Sequence, residues 1–229
     1  MDSTWFLYMI PGLVLGGIAA LVTKTTFMRY SRVAASSGLT GAQAAAQMLA
    51  SQGITDVRIE PVRGFLSDHY DPMHRTLRLS PDVYGGSSLS AIGVACHEAG
   101  HALQHAASYA PLMLRTALVP AANIGSNLAV WLIMIGGALG MVGMMKIGVI
   151  VFSAAVAFAL ITLPVEWDAS ARAKRLMVTA GIVSSVESAS AGRVLNAAFM
   201  TYVAAAVTAV LQLIYFMMRA GLLGGRRND

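Results

Sequence analysis

The chain has 229 residues with 16 Lys and Arg against 11 Asp and Glu, a net charge of +5, yet 56% of it is hydrophobic and only 12% is charged. That composition excludes an ordinary soluble domain. No interleaving of aromatic and basic side chains marks a nucleic-acid platform, so the basic surplus points to a membrane surface and no nucleic-acid partner. The single cysteine, Cys96, excludes an internal disulfide and fits a reduced compartment.

Four uncharged apolar runs, at 5–22, 118–145, 147–165 and 197–218, meet or approach the ~20 residues that cross a bilayer. The first is not a cleaved signal peptide, because Lys24, Arg29 and Arg32 follow it and only Asp2 precedes it. It reads as an anchor at 1–23 with its N-terminus outside. Segments 23–117 and 166–196 then face the cytoplasm and hold twelve of the 16 basic residues, as the positive-inside rule asks. Lys146, Arg219, Arg226 and Arg227 run against it: either the basic tail is a tolerated exception or the last run does not fully cross. The close succession of the second and third runs around Lys146 suggests a tight hairpin, at 118–165. The expectation is a multi-pass protein of the inner (plasma) membrane, with a helix segment at 166–196 and a last span and basic tail at 197–229.

Residues 24–117 form the part outside the bilayer. Ser36 to Thr40 is a loop leading into an alanine-rich helix at 41–51, with Thr40 as N-cap and Gly53 as its end. Residues 57–62 alternate apolar and polar side chains like a strand, Asp71-Pro72 signals a turn, and 76–79 alternate again, so a hairpin precedes the next helix. An extended substrate could pair with the edge of such a strand.

That next helix, capped by Ser87 or Ser88, carries His97-Glu98-Ala99-Gly100-His101, an H-E-x-x-H motif. Residues four apart share a helix face, so the His97 and His101 imidazoles can grip one metal ion, and zinc (Zn2+) is the expectation. Glu98 stands beside them, where its carboxylate reaches a water on the metal as general base. Cys96 reads as a small packed residue. A catalytic zinc wants a third protein ligand. His105 lies about two turns beyond His97, and His69 and His74 sit around a turn. Glu166 is the better candidate: it stands where the third run ends, and an even number of crossings returns it to the side of the histidines. Asp168 reads as an acid orienting a ligand histidine through its other ring nitrogen, or, alternatively, as the ligand with Glu166 behind it.

His97-Glu98-Ala99-Gly100-His101-Ala102, Asp68-His69-Tyr70-Asp71-Pro72, Leu79-Ser80 and Leu163-Pro164-Val165-Glu166-Trp167-Asp168-Ala169-Ser170 together resemble the YugP-type neutral zinc metallopeptidases of bacterial membranes. The resemblance runs over about 5–215, with a more distant likeness to the HtpX and CAAX-type membrane proteases. It implies His97, His101 and Glu166 as ligands and Glu98 as catalytic base. Trp167 stands where Phe is expected, and Cys96 where Ala is expected. Neither touches an implied ligand.

The fold expected is a mainly α membrane protein: about four transmembrane helices and a small α+β zincin-like domain in which a short β-hairpin precedes the active helix. The function expected is a metallopeptidase acting on a peptide or membrane-protein substrate within or at the lipid bilayer. His69, Tyr70 and Tyr84 are candidates to steady the tetrahedral oxyanion. The rivals are a membrane zinc-binding scaffold or regulator, and a metal-dependent hydrolase of a non-peptide substrate. Closed structural zinc sites are usually Cys-rich, which weighs against the scaffold.

Overall fold

The computed structural model describes residues 3–223; Asp2 and the tail basic residues Arg226 and Arg227 lie outside the described residues. Among the described residues seven helices and three strands follow in order: α1 (Ser3–Tyr30), α2 (Gly41–Ala50), β1 (Arg58–Pro61), β2 (His69–Asp71), β3 (Thr76–Leu79), α3 (Pro81–Tyr84), α4 (Leu89–Ala106), α5 (Ala110–Ala138), α6 (Val142–Thr179) and α7 (Ser185–Arg219). Helices α1, α5, α6 and α7 are long and apolar enough to cross a membrane. Leu13, Ile124, Trp131 and Ile150 point outward from them, a disposition suited to hydrocarbon rather than water. The fold is thus mainly α, with four candidate spans and a small sheet.

The chain divides into two compact units. One is made of α1 as far as Ile18, Met113–Pro164, and α7 from Thr201. Ala129, Ile133, Met145, Val149, Phe152 and Phe216 form its buried cluster. The turn between α5 and α6 falls at 139–141, where Gly140 adopts φ +68°. This is earlier than the Lys146 break expected from charge, and Lys146 itself lies inside α6. A left-handed residue reverses a chain without any polar break, and glycine adopts it without steric cost.

The other unit is Ala19–Leu112 with Val165–Met200. Its core gathers Met48, Leu77, Leu79, Ile92, Met177 and Ile182, all fully buried. Thr40 caps α2 in a capping box: its hydroxyl accepts from the Gln43 N–H, and the Gln43 side chain accepts from the Thr40 N–H. Gly41 has to be glycine, since a Cβ there would fall 2.2 Å from the Val83 carbonyl oxygen. Gly53, at φ +72°, follows the helix end.

The sheet has the order β1-β3-β2. A hairpin does precede the H-E-x-x-H helix, but its arms are β2 and β3, with Tyr70 opposite Leu77. The 57–62 segment supplies β1, which pairs with β3 in parallel, Ile59 opposite Leu77. β3 is therefore central, and the free edges belong to β1 and β2, so an extended ligand has no access to the edge of β3 itself. Ser88 caps α4, its hydroxyl accepting from the Ala91 N–H. Backbone bonds from Ala35 N–H to the Ser87 oxygen and from Leu89 N–H to the Val33 oxygen, each 2.9 Å, tie that end of α4 to the segment after α1.

Candidate metal centre

Helix α4 brings the histidines together and α6 brings the carboxylate. His97 and His101, one turn apart, face each other with ring centroids 4.8 Å apart. Glu166 is almost wholly buried, and its Oε2 lies 3.1 Å from His97 Nε2 and 3.5 Å from His101 Nε2. One donor atom from each residue lies within 4.8 Å of the others. Two imidazole nitrogens and one carboxylate oxygen, pooled this closely in a buried place, are a donor set that fits zinc with a position left open.

The approach of α6 to α4 depends on Gly100, inside the motif. A Cβ there would stand 2.7 Å from the Ala169 carbonyl oxygen and 3.2 Å from its carbonyl and α carbons. Only the absent side chain lets the two backbones come this near. Ala169 lies one helical turn beyond Glu166, so this contact sets the height of the carboxylate against the histidines.

The second nitrogen of each imidazole is held from behind. Gln104, fully buried, donates from Nε2 to the Val165 carbonyl oxygen and to Asp168 Oδ2, both at 2.8 Å. With both amide hydrogens so engaged, Gln104 Oε1 has to face His101 Nδ1, 3.0 Å away, as an acceptor. His101 then carries a proton on Nδ1, held by Gln104, and turns its Nε2 toward the donor cluster. Ser170 Oγ lies 3.1 Å from His97 Nδ1 and contacts the other ring from the same side. Burial alone would lower the His101 imidazole, but the facing Glu166 carboxylate outweighs it and holds the group above its ordinary pKa.

Asp168 takes a different place from the one expected. Its Oδ2 accepts from Gln104 and, at 2.6 Å, from Arg172 Nε, and Arg172 lies over the Tyr109 ring. It therefore reaches His101 only by way of Gln104, and Glu166 is the carboxylate that lies among the histidines. Gln104 and Ser170 were not foreseen. Their only sequence signal is spacing: Gln104 stands three residues after His101, and Ser170 four after Glu166.

Glu98 is 9% exposed, and among the described residues no hydrogen-bond donor is directed at its carboxylate. No buried side-chain oxygen lacks a partner among those residues, so the Glu98 oxygens retain contact with solvent. Cys96 is fully buried, and burial pushes its thiol well above the ordinary range, as for a packed residue. The remaining candidates bond elsewhere. His69 Nδ1 is 2.8 Å from the Ser67 oxygen, and the Tyr70 hydroxyl is 2.8 Å from His105 Nδ1 on α4. His74 pairs with Asp71, and Tyr84 packs against the core.

The sequence over residues 5–221 matches the model of a family described as "Putative neutral zinc metallopeptidase". It is 49% identical over 209 residues to the "Putative membrane protease YugP" of Bacillus subtilis (strain 168), covering 91% of this chain and 93% of that protein. No solved structure matches.

Proposed function

The chain belongs to that neutral zinc metallopeptidase family, and from this premise we propose that it is a membrane-embedded peptidase holding zinc between His97, His101 and Glu166, with Glu98 as general base. The observation that carries the proposal is the clustering of those three donor sets within 4.8 Å, beside the Glu98 carboxylate on the same helix turn, which no described donor engages. Zinc bound there would polarise a scissile carbonyl and lower the pKa of a coordinated water towards ~7. Glu98 takes a proton from the attacking water as the new C–O bond forms. It passes that proton to the departing amine as the C–N bond breaks, leaving an acid and an amine. Gln104 and Ser170 keep both imidazoles turned with one nitrogen toward the ion. The substrate is a peptide or a membrane protein, and the bias of Lys and Arg supports the cytoplasmic side for the centre.

The test compares Glu98→Gln with His97→Ala and Glu166→Ala, measuring zinc content and cleavage of a loosely folded membrane substrate in detergent. Glu98→Gln should keep near-normal zinc while losing at least ~10²-fold in turnover. The two ligand variants should lose both. Parental cleavage by Glu98→Gln would overturn the peptidase mechanism in favour of a scaffold or a different hydrolytic chemistry.

A further inference from the structure

A second feature lies away from the metal centre, where α1 leaves its apolar stretch and α7 enters its own. Val22, Thr26, Arg29, Tyr30, Arg193, Asn196, Ala197 and Met200 line a groove of about 360 Å³. The two arginines hold the same Tyr30: Arg193 Nη1 donates to its hydroxyl at 2.9 Å, and the Arg29 guanidinium lies 5.7 Å from its ring centroid. Two like charges are thus kept around one tyrosine in one groove. Among the described residues neither has a carboxylate partner, and no acidic residue lines the groove. Lys174 donates to Asn196 Oδ1 at 3.1 Å, which leaves the Asn196 amide hydrogens as further donors. Below this polar mouth the wall is apolar, with Val22 and Met200 about half exposed.

We propose that this groove binds the headgroup phosphate of an anionic phospholipid. Two guanidiniums held at a common tyrosine are preorganised for one phosphate, with charge-assisted hydrogen bonds available from both. Their depth in the chain suits the headgroup layer: Arg29 lies two turns past the apolar run that ends at Val22, and Arg193 one turn before the run that starts at Ala197. Val22, Ala197 and Met200 continue the groove toward hydrocarbon, which a lipid fills with its glycerol and upper acyl carbons and a free phosphate does not. A choline headgroup would bring its own cation toward two unpaired arginines, so an anionic lipid is preferred over a zwitterionic one.

The experiment uses the purified full chain in a neutral detergent, titrated with dioctanoyl phosphatidylglycerol, dioctanoyl phosphatidylcholine or inorganic phosphate, with the unfolding temperature as readout. Phosphatidylglycerol should raise it saturably. The double variant Arg29→Gln/Arg193→Gln should weaken the apparent affinity at least ~10-fold, the scale of one or more lost charge-assisted bonds. Lys24→Gln, a nearby cation outside the lining, should leave it unchanged. If the double variant does not fold, Met200→Glu sets a carboxylate at the wall and should weaken the lipid equally. The proposal fails if phosphatidylcholine acts as strongly, if inorganic phosphate saturates the same shift, if the arginine variant keeps the response, or if Lys24→Gln loses as much.

Discussion

Substituting Gly100 by alanine tests whether backbone contact between α4 and α6 sets the metal centre. The added Cβ would sit 2.7 Å from the Ala169 oxygen, and the obstacle is backbone rather than a flexible side-chain tip. A relaxed carbon–oxygen contact is about 3.3 Å, so α6 has to retreat by about 0.6 Å. Alanine gains about 1 kcal/mol in helix propensity over glycine, while overpacking a close contact costs about 1–3 kcal/mol. The two nearly offset, and the fold should lose at most about 2 kcal/mol.

The metal centre has far less tolerance. Ligand distances in zinc sites hold to about 0.2 Å, so a retreat of about 0.6 Å at Ala169 has to be felt at Glu166 one turn away. Gly100→Ala should therefore weaken zinc at least ~10-fold, read by competition with a calibrated chelator, while the unfolding temperature of the metal-free protein changes little. Gly16→Ala is the control, since a Cβ there meets nothing within 4 Å. Parental zinc affinity in Gly100→Ala would refute the reasoning.

Gln104→Ala removes the acceptor of the His101 Nδ1 proton and two donors on α6. Zinc affinity should fall about 10–100-fold, with activity returning at raised zinc; an unchanged affinity would show that Gln104 merely fills space. In β2, the Arg78 and His74 partners hold the Asp71 carboxyl well below the usual carboxylate range. Its contribution to stability is thus fully present above an unfolded pKa of about 3.9 and is lost as pH falls toward the lower folded value. Asp71→Asn should lower the unfolding temperature at neutral pH and flatten its fall below roughly pH 4; an identical slope in parent and variant would count against the pairing.

What the sequence discloses depends on how local the signal is. The caps of α2 and α4, the four apolar helices, and the meeting of Glu166 with His97 and His101 follow from short motifs, length and an even number of crossings. The partner of β3 does not. His69-Tyr70-Asp71 is three residues without apolar alternation, and its pairing comes with Asp71 contacts to Arg78 and His74 across and within the turn that no local pattern signals. The α5–α6 reversal also lies hidden, because hydropathy continues through Gly140 and only its left-handed φ marks the turn. Gln104 is silent for another reason: a glutamine on a helix is ordinarily a solvated residue, and only the fold shows it fully buried between His101 and α6.

The same fold accounts for how Glu166, two residues after Pro164, is held. Pro164 lies inside α6 and has no N–H, so the Leu160 carbonyl loses its helical partner there and the ladder is weakened just before the carboxylate. A weakened ladder beside a precise donor needs support from outside the helix. Gln104 supplies it by donating to the Val165 carbonyl and to Asp168, clamping α6 on both sides of Glu166. Gly100 sets how near α6 comes, and Gln104 sets how firmly it is held. Both stand on the helix that carries His97 and His101, so α4 positions the third donor as well as supplying the first two.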